Sequence, residues 1–148
     1  MNLSKLDTRE LGKYFEQLLV SKLIKLGLEV FTPVLDKGID FILRRQTDGQ
    51  IGYYEIQVKS VRKRGGRLTI NKESFPVNRE NLFLVFFNVG EKEKFDTYLI
   101  PAKDVHDIFR DQDQAKRRIL RLYTIGKDLE RIQAYKWNID DFPEVWKN

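Results

Sequence analysis

Three polar residues on one candidate strand could do chemistry together: Glu55, Gln57 and Lys59 alternate with Tyr54, Ile56 and Val58. Successive side chains of a strand point to opposite faces, so the polar three share one face and the apolar three the other. Such a polar face often just meets water, and the alternation gains meaning only with a second strand beside it. Thr47-Asp48-Gly49-Gln50 supplies that strand, because Asp-Gly is a strong hairpin-turn signal joining strands at 39–45 and 51–61. With the turn as centre, paired residue numbers add to 97, which sets Asp40 across from Gln57 and one diagonal step from Lys59. Directly opposed β-carbons are about 4.5–5.5 Å apart. A carboxylate and an amide oxygen at that spacing can hold Mg²⁺, which prefers oxygen ligands and keeps several waters. The lysine can then stabilise a nucleophilic hydroxide or the charge growing on a phosphate. A bulged or longer loop would shift this register.

Glu16 adds a fourth group. Its helical neighbours toward the C-terminus are Leu19, Val20 and Leu23, a core-facing stripe, and toward the N-terminus Gly12, Lys13 and Arg9. Glutamate is rarely buried without a partner, so Glu16 reads either as the rim of a site, with Gly12 allowing close approach, or as half of a salt bridge to a nearby Lys or Arg.

The elements that must position these groups follow from local signals. Asp7-Thr8-Arg9-Glu10 is an N-cap with Glu at the third helical position, predicting a helix to about Leu26 that stops at Gly27. Residues 30–32 form a short strand ending at Pro33, and residues 67–70 extend the sheet. Leu82-Phe83-Leu84-Val85-Phe86-Phe87 is a continuous apolar run, expected of a central strand buried on both faces. Residues 97–100 make another strand, and Pro101 leads into a helix to about Phe109. Residues 113–124 read as a basic helix, and the tail at 136–143 has no assignable element. Trp137 and Trp146 read as cover for the core or a dimer contact. The order predicts a mixed sheet flanked by helices in one domain over 1–148, with a core at about 8–110 and a basic C-terminal extension at about 111–148.

Composition narrows the chemistry. The chain has 148 residues, no cysteine and one histidine, which excludes disulfides, thiol nucleophiles and thiolate zinc sites. His106, in Asp104-Val105-His106-Asp107, reads as a solvated helix residue rather than a catalytic imidazole. No apolar run is long enough to span a bilayer and no signal-peptide h-region follows Met1, so a cytoplasmic protein with no membrane partner is expected. The net charge is +5. Between residues 59 and 79 lie seven basic residues and only Glu73 as an acid; Lys116, Arg117, Arg118, Arg121 and Lys127 form a second basic stretch. Both fit a solvated face or an anionic partner such as nucleic acid.

Gly12-Lys13-Tyr14-Phe15-Glu16, Leu26-Gly27-Leu28-Glu29-Val30, Gly38-Ile39-Asp40 and Glu55-Ile56-Gln57-Val58-Lys59-Ser60 together resemble the PD-(D/E)XK nuclease superfamily. They are most similar to Mrr-type restriction enzymes and archaeal Holliday junction resolvases, over roughly residues 8 to 101. The resemblance implies an α/β, restriction-endonuclease-like αβββαβ core and a Mg²⁺-dependent endonuclease (Mn²⁺ substituting) that hydrolyses DNA phosphodiester bonds in duplex or branched DNA. It assigns catalysis to Glu16, Asp40, Gln57 and Lys59, and the metal to Glu16, Asp40, Gln57 and the Val58 carbonyl. Gln57 stands where an acid is usual, so Glu55 could lend the missing carboxylate. Lys13, Arg62, Lys63, Arg64 and Arg67 would hold DNA phosphates. A domain of this size makes one active site and double-strand cleavage needs two, which implies a homodimer. The alternative is a nuclease-fold protein without catalysis that binds nucleic acid or serves as a structural subunit.

Overall fold

A computed structural model describes residues 2–35, 37–64, 66–76, 78–112, 118–123 and 126–147. Helix α1 (Thr8–Lys25) starts where the cap signal predicts. The Asp7 side chain accepts the Glu10 N–H at 2.8 Å and Glu10 returns the bond to the Asp7 N–H at 2.9 Å. Leu11, Phe15, Leu19 and Leu23 recur at four-residue steps and are buried on one side. The helix closes on Gly27, whose φ of +86° suits a residue without a β-carbon. The Gly27 N–H bonds to the Ile24 carbonyl and the Leu28 N–H to the Leu23 carbonyl, a Schellman closure.

The main sheet holds β1 (Glu29–Phe31), β2 (Phe41–Thr47), β3 (Gln50–Arg62), β5 (Leu82–Val89) and β6 (Phe95–Pro101), in the order β1-β2-β3-β5-β6. β5 runs parallel to β3 and every other pair is antiparallel. All eight residues of β5 are buried, as its apolar run predicts. Val85, Phe87, Ile56 and Val58 pack toward α1, while Leu82, Leu84 and Phe86 pack into a second core on the opposite face.

Three expectations change. The segment at 67–70 becomes β4 (Arg67–Asn71), but it pairs with β8 (Ile119–Tyr123) in a separate three-stranded sheet of order β4-β8-β7, where β7 is Arg110–Asp111. Among the described residues the crossover from β3 to β5 therefore carries a strand and one 3-10 turn (Lys72–Ser74), not a full helix. The helix expected over 113–124 is replaced by β8 in its described part; residues 113–117 and 124 lie outside the described residues. Ile119, Leu120 and Leu122 are apolar enough to fill a sheet face against β4, and Arg121 is buried with its guanidinium on Gln112 Oε1 at 2.9 Å.

Leu68, Ile70, Leu120 and Leu122 of the small sheet join α2 (Ala102–Ile108) in covering the second core. After α3 (Lys127–Arg131), the chain returns along β6, with the Trp137 N–H bonded to the Thr97 carbonyl at 2.8 Å. Trp146 is fully buried, stacked on Tyr54 at 5.0 Å and edge-on to Phe83 and Trp137. Residues beyond 111 thus complete both cores. Among the described residues no helix is long and apolar enough to cross a membrane.

Candidate active site

The β2–β3 hairpin turns on Asp48 and Gly49 with φ of +49° and +79°, the left-handed pair of a type I′ turn. Its register runs from Thr47 opposite Gln50 to Phe41 opposite Ile56, so every pair adds to the 97 that the turn predicts. Asp40 stands where this ladder ends. Its N–H donates to the Ile56 carbonyl at 2.8 Å, and its Oδ2 accepts the Val58 N–H at 2.7 Å. The carboxylate is thereby fixed beside the Gln57–Val58 peptide.

Gln57 alternates away from α1, next to Leu84 of β5, and is 8% exposed. A β-carbon built on Gly38 would stand 3.2 Å from Ser74 Oγ and 3.8 Å from Gln57 Nε2, so the chain two residues before Asp40 lies close over this amide. Gly38 has φ of +86°, a conformation other residues avoid. Gln57 Oε1 is buried with no hydrogen-bond partner among the described residues. Lys59 follows on the same face, partly buried beside Phe86, and among the described residues it makes no ion pair.

Glu16 and Asp40 line one cleft of about 520 Å³ between α1 and the start of β2, walled by Val20, Thr32, Pro33 and Ile39. Lys13 also lines it, with Nζ 3.4 Å from Glu16 Oε2; the lysine side chain is 71% exposed and the glutamate 29%. Glu16 thus lines the cleft and pairs with a cation. Gln57 and Lys59 lie outside this lining. Gly12 is not at a tight approach, since a β-carbon there would sit an ordinary 4.0 Å from Ser60 Oγ.

Glu55 is turned to another partner. Its Oε1 accepts from Arg79 Nη2 at 2.7 Å, in the loop before β5. Among the described residues no group of three or more His, Cys, Asp or Glu side chains is arranged to hold a metal. The acids lining the cleft are Glu16 and Asp40.

The proposed DNA contacts divide. Lys63, Arg64 and Arg67 are exposed. Arg62 is partly buried, and its guanidinium donates to the Leu3 and Leu6 carbonyls, tying the N-terminal turn to the end of β3. His106 bonds through Nε2 to the Phe75 carbonyl, a structural contact between α2 and the crossover. In the second basic stretch Arg121 is buried, Arg118 and Lys127 are exposed, and Lys116 and Arg117 lie outside the described residues.

Sequence reasoning missed Arg79 and Ser74 as neighbours of the site, and nothing local flags either. It also missed the buried Asp128. Burial acts to raise this carboxyl, but the Arg110 guanidinium and the Tyr123 N–H outweigh it and hold it below the ordinary range. That cluster anchors β7 and β8 and lies apart from Asp40 in the chain.

No protein-family model matches the sequence, and no curated protein is detectably similar to it. Solved structures are, two nucleases among them. A bacterial homing endonuclease superposes with a TM-score of 0.50 at 20% identity, covering 84% of this chain and 85% of its own. The Holliday junction resolvase Hjc of Archaeoglobus fulgidus superposes with a TM-score of 0.52 at 15% identity, covering 86% and 91%. With the αβββ start, the parallel β3–β5 pair and the flanking helices, this chain has the restriction-endonuclease-like fold.

Proposed function

We propose that the protein is a Mg²⁺-dependent endonuclease that hydrolyses DNA phosphodiester bonds, with Glu16, Asp40, Gln57 and Lys59 as its catalytic residues. The observation that carries this is the pinned Asp40 carboxylate, which shares a cleft with Glu16 and is bonded to the Val58 N–H next to Gln57, whose buried Oε1 has no partner among the described residues. A buried acceptor left without a donor costs about 1–3 kcal/mol, and a hard cation would satisfy it. The donor set fits Mg²⁺, with Mn²⁺ able to substitute: Glu16, Asp40, Gln57 Oε1 and the Val58 carbonyl would hold the ion. When bound, such an ion lowers the pKa of water and offsets charge on the phosphate. Lys59 stabilises the charge that grows on the phosphoryl oxygens, and its partly buried setting strengthens that interaction. Lys13, Lys63, Arg64 and Arg67 hold flanking phosphates without reading bases. A homodimer would pair two such sites for cleavage of both strands.

The second reading, a nuclease-fold protein that binds nucleic acid without cutting, is favoured by two observations: an amide at the third ligand position and Glu55 neutralised by Arg79. One assay separates the two. Plasmid, branched DNA and RNA are incubated with Mg²⁺, Mn²⁺ or chelator. The nuclease reading expects metal-dependent nicking that Asp40→Asn abolishes; binding without nicking in every condition supports the second reading.

A further inference from the structure

The β2–β3 hairpin has a second feature on the face that carries Gln57 and Lys59. A cleft of about 500 Å³ opens between the hairpin and the loop before β5, lined by Ile42, Tyr53, Glu55, Asn78, Arg79 and Asn81. That volume falls within the range of small-ligand sites. Tyr53 is 53% exposed and stands across the hairpin from Arg44. The Asn78 and Asn81 side chains make no hydrogen bonds among the described residues, which leaves amide donors and acceptors free at the mouth.

The electrostatics exclude a phosphate as occupant. Arg79, the cation in the lining, is committed to Glu55 at 2.7 Å, and Glu80 adds an acid beside it. A flat, neutral group with hydrogen-bonding edges suits an exposed ring and two amides. A nucleobase has that chemistry: aromatic rings stack on its face, and Asn side chains pair with its edge.

Tyr53, Glu55, Gln57 and Lys59 are alternate residues of β3. At about 3.3–3.4 Å per residue, Gln57 lies about 7 Å along the strand from Glu55 and about 13 Å from Tyr53. A strand with its scissile phosphate at Gln57 and Lys59 would bring a base only about one or two nucleotides away to this cleft. Bases in a continuous duplex are stacked and paired and cannot enter; an unpaired one can, at little cost. We infer that this cleft receives an unpaired nucleobase next to the scissile phosphate, so that the preferred substrate is DNA with an unpaired nucleotide at the cut, as in a fork or branch. The inference rests on the nuclease reading above.

Binding in chelator, where no cutting occurs, tests it. Fluorescence anisotropy is measured for a duplex, the same duplex with an unpaired arm, and the single strand, using wild type, Tyr53→Ala and Tyr53→Phe. Wild type should prefer the forked DNA. Tyr53→Ala should weaken forked and single-stranded binding by about 5- to 100-fold, the worth of one stacked base, and leave duplex binding unchanged. Tyr53→Phe keeps the ring and should retain the preference. 2-Aminopurine in the unpaired arm should be quenched by wild type and not by Tyr53→Ala. DNA binding that Tyr53→Ala leaves intact on all three substrates overturns the pocket but not the nuclease reading. Equal loss on all three does the same, as does a Tyr53→Ala protein that sediments at half the wild-type mass, which would make the face a subunit contact. Wild type that binds no DNA overturns both.

Discussion

The Asp40 carboxylate accepts the Val58 N–H at 2.7 Å across the end of the β2–β3 ladder. A side chain stands in for a main-chain acceptor where the strands part, which holds the carboxylate one residue from Gln57. Asp40→Ala leaves the N–H of a mostly buried residue without its partner and should destabilise the fold by about 1.5–3 kcal/mol, the worth of a hydrogen bond to a charged group. Asp40→Asn keeps an acceptor of the same size and should cost about 1 kcal/mol or less. Urea unfolding of the two variants checks this: equal losses would mean the bond contributes nothing beyond side-chain size. Both variants should be inactive in cleavage.

Lys59 is the cleanest probe of chemistry apart from binding. It makes no ion pair among the described residues, so Lys59→Ala breaks no salt bridge of the fold. Cleavage should fall at least about 100-fold, the scale of losing one charge-stabilising donor. DNA affinity in chelator should change less than about 5-fold, because one ammonium is lost from a footprint of several. Single-turnover kinetics with saturating enzyme give both numbers. Cleavage within a few-fold of wild type would remove Lys59 from the mechanism.

How much of this was legible in the sequence depended on how local the signal is. The Asp7 cap, the Gly27 closure and the Asp48-Gly49 turn each lie within a few residues of what they determine. The register that sets Asp40 near Gln57 could therefore be read directly. The β4–β8 pairing joins residues about fifty positions apart, and Arg117-Arg118-Ile119-Leu120-Arg121 carries a charge pattern that also suits a basic helix face. Only contact with β4 decides for a strand. Arg62 illustrates the same limit. Within Arg62-Lys63-Arg64 it reads as one more phosphate-binding cation, but its partners are carbonyls at Leu3 and Leu6. Glu55 looked available as a ligand because Arg79 is remote in sequence.

Tyr135 should mark the alkaline limit of the C-terminal segment. Burial, then the hydrogen bond it donates to Asp104 Oδ2 at 2.9 Å, pushes its pKa from 10.0 up to about 12. The folded state thus favours the neutral phenol. The associated stability is fully present below pH about 10 and is lost as pH rises toward about 12. Tyr135 should ionise well after the free phenol in an ultraviolet absorbance titration. Asp104→Asn should bring it back toward 10 while leaving the burial contribution. A wild-type curve with no late component would contradict the contact.

The basic loop after β3 separates phosphate binding from structure, because its cations have different partners. Lys63, Arg64 and Arg67 are exposed, while Arg62 is partly buried under the N-terminal turn. Replacing Lys63, Arg64 and Arg67 together by Gln should weaken DNA binding nearly equally for all sequences. The log–log salt dependence should flatten by up to about 0.9 units per lost contact on duplex DNA. Turnover at saturating DNA should fall much less, since Asp40, Gln57 and Lys59 are untouched. Arg62→Ala should do the opposite. It loses charge-assisted bonds to two carbonyls and should destabilise the protein by about 1.5–3 kcal/mol, with the salt slope within about 0.3 units of wild type. Anisotropy titrations at several salt concentrations, run beside urea unfolding, resolve the two effects. An unchanged slope in the triple variant would mean that the loop is a solvated connection that does not hold DNA. A slope that falls by a full unit in Arg62→Ala would mean that its guanidinium leaves Leu3 and Leu6 for a phosphate when DNA binds.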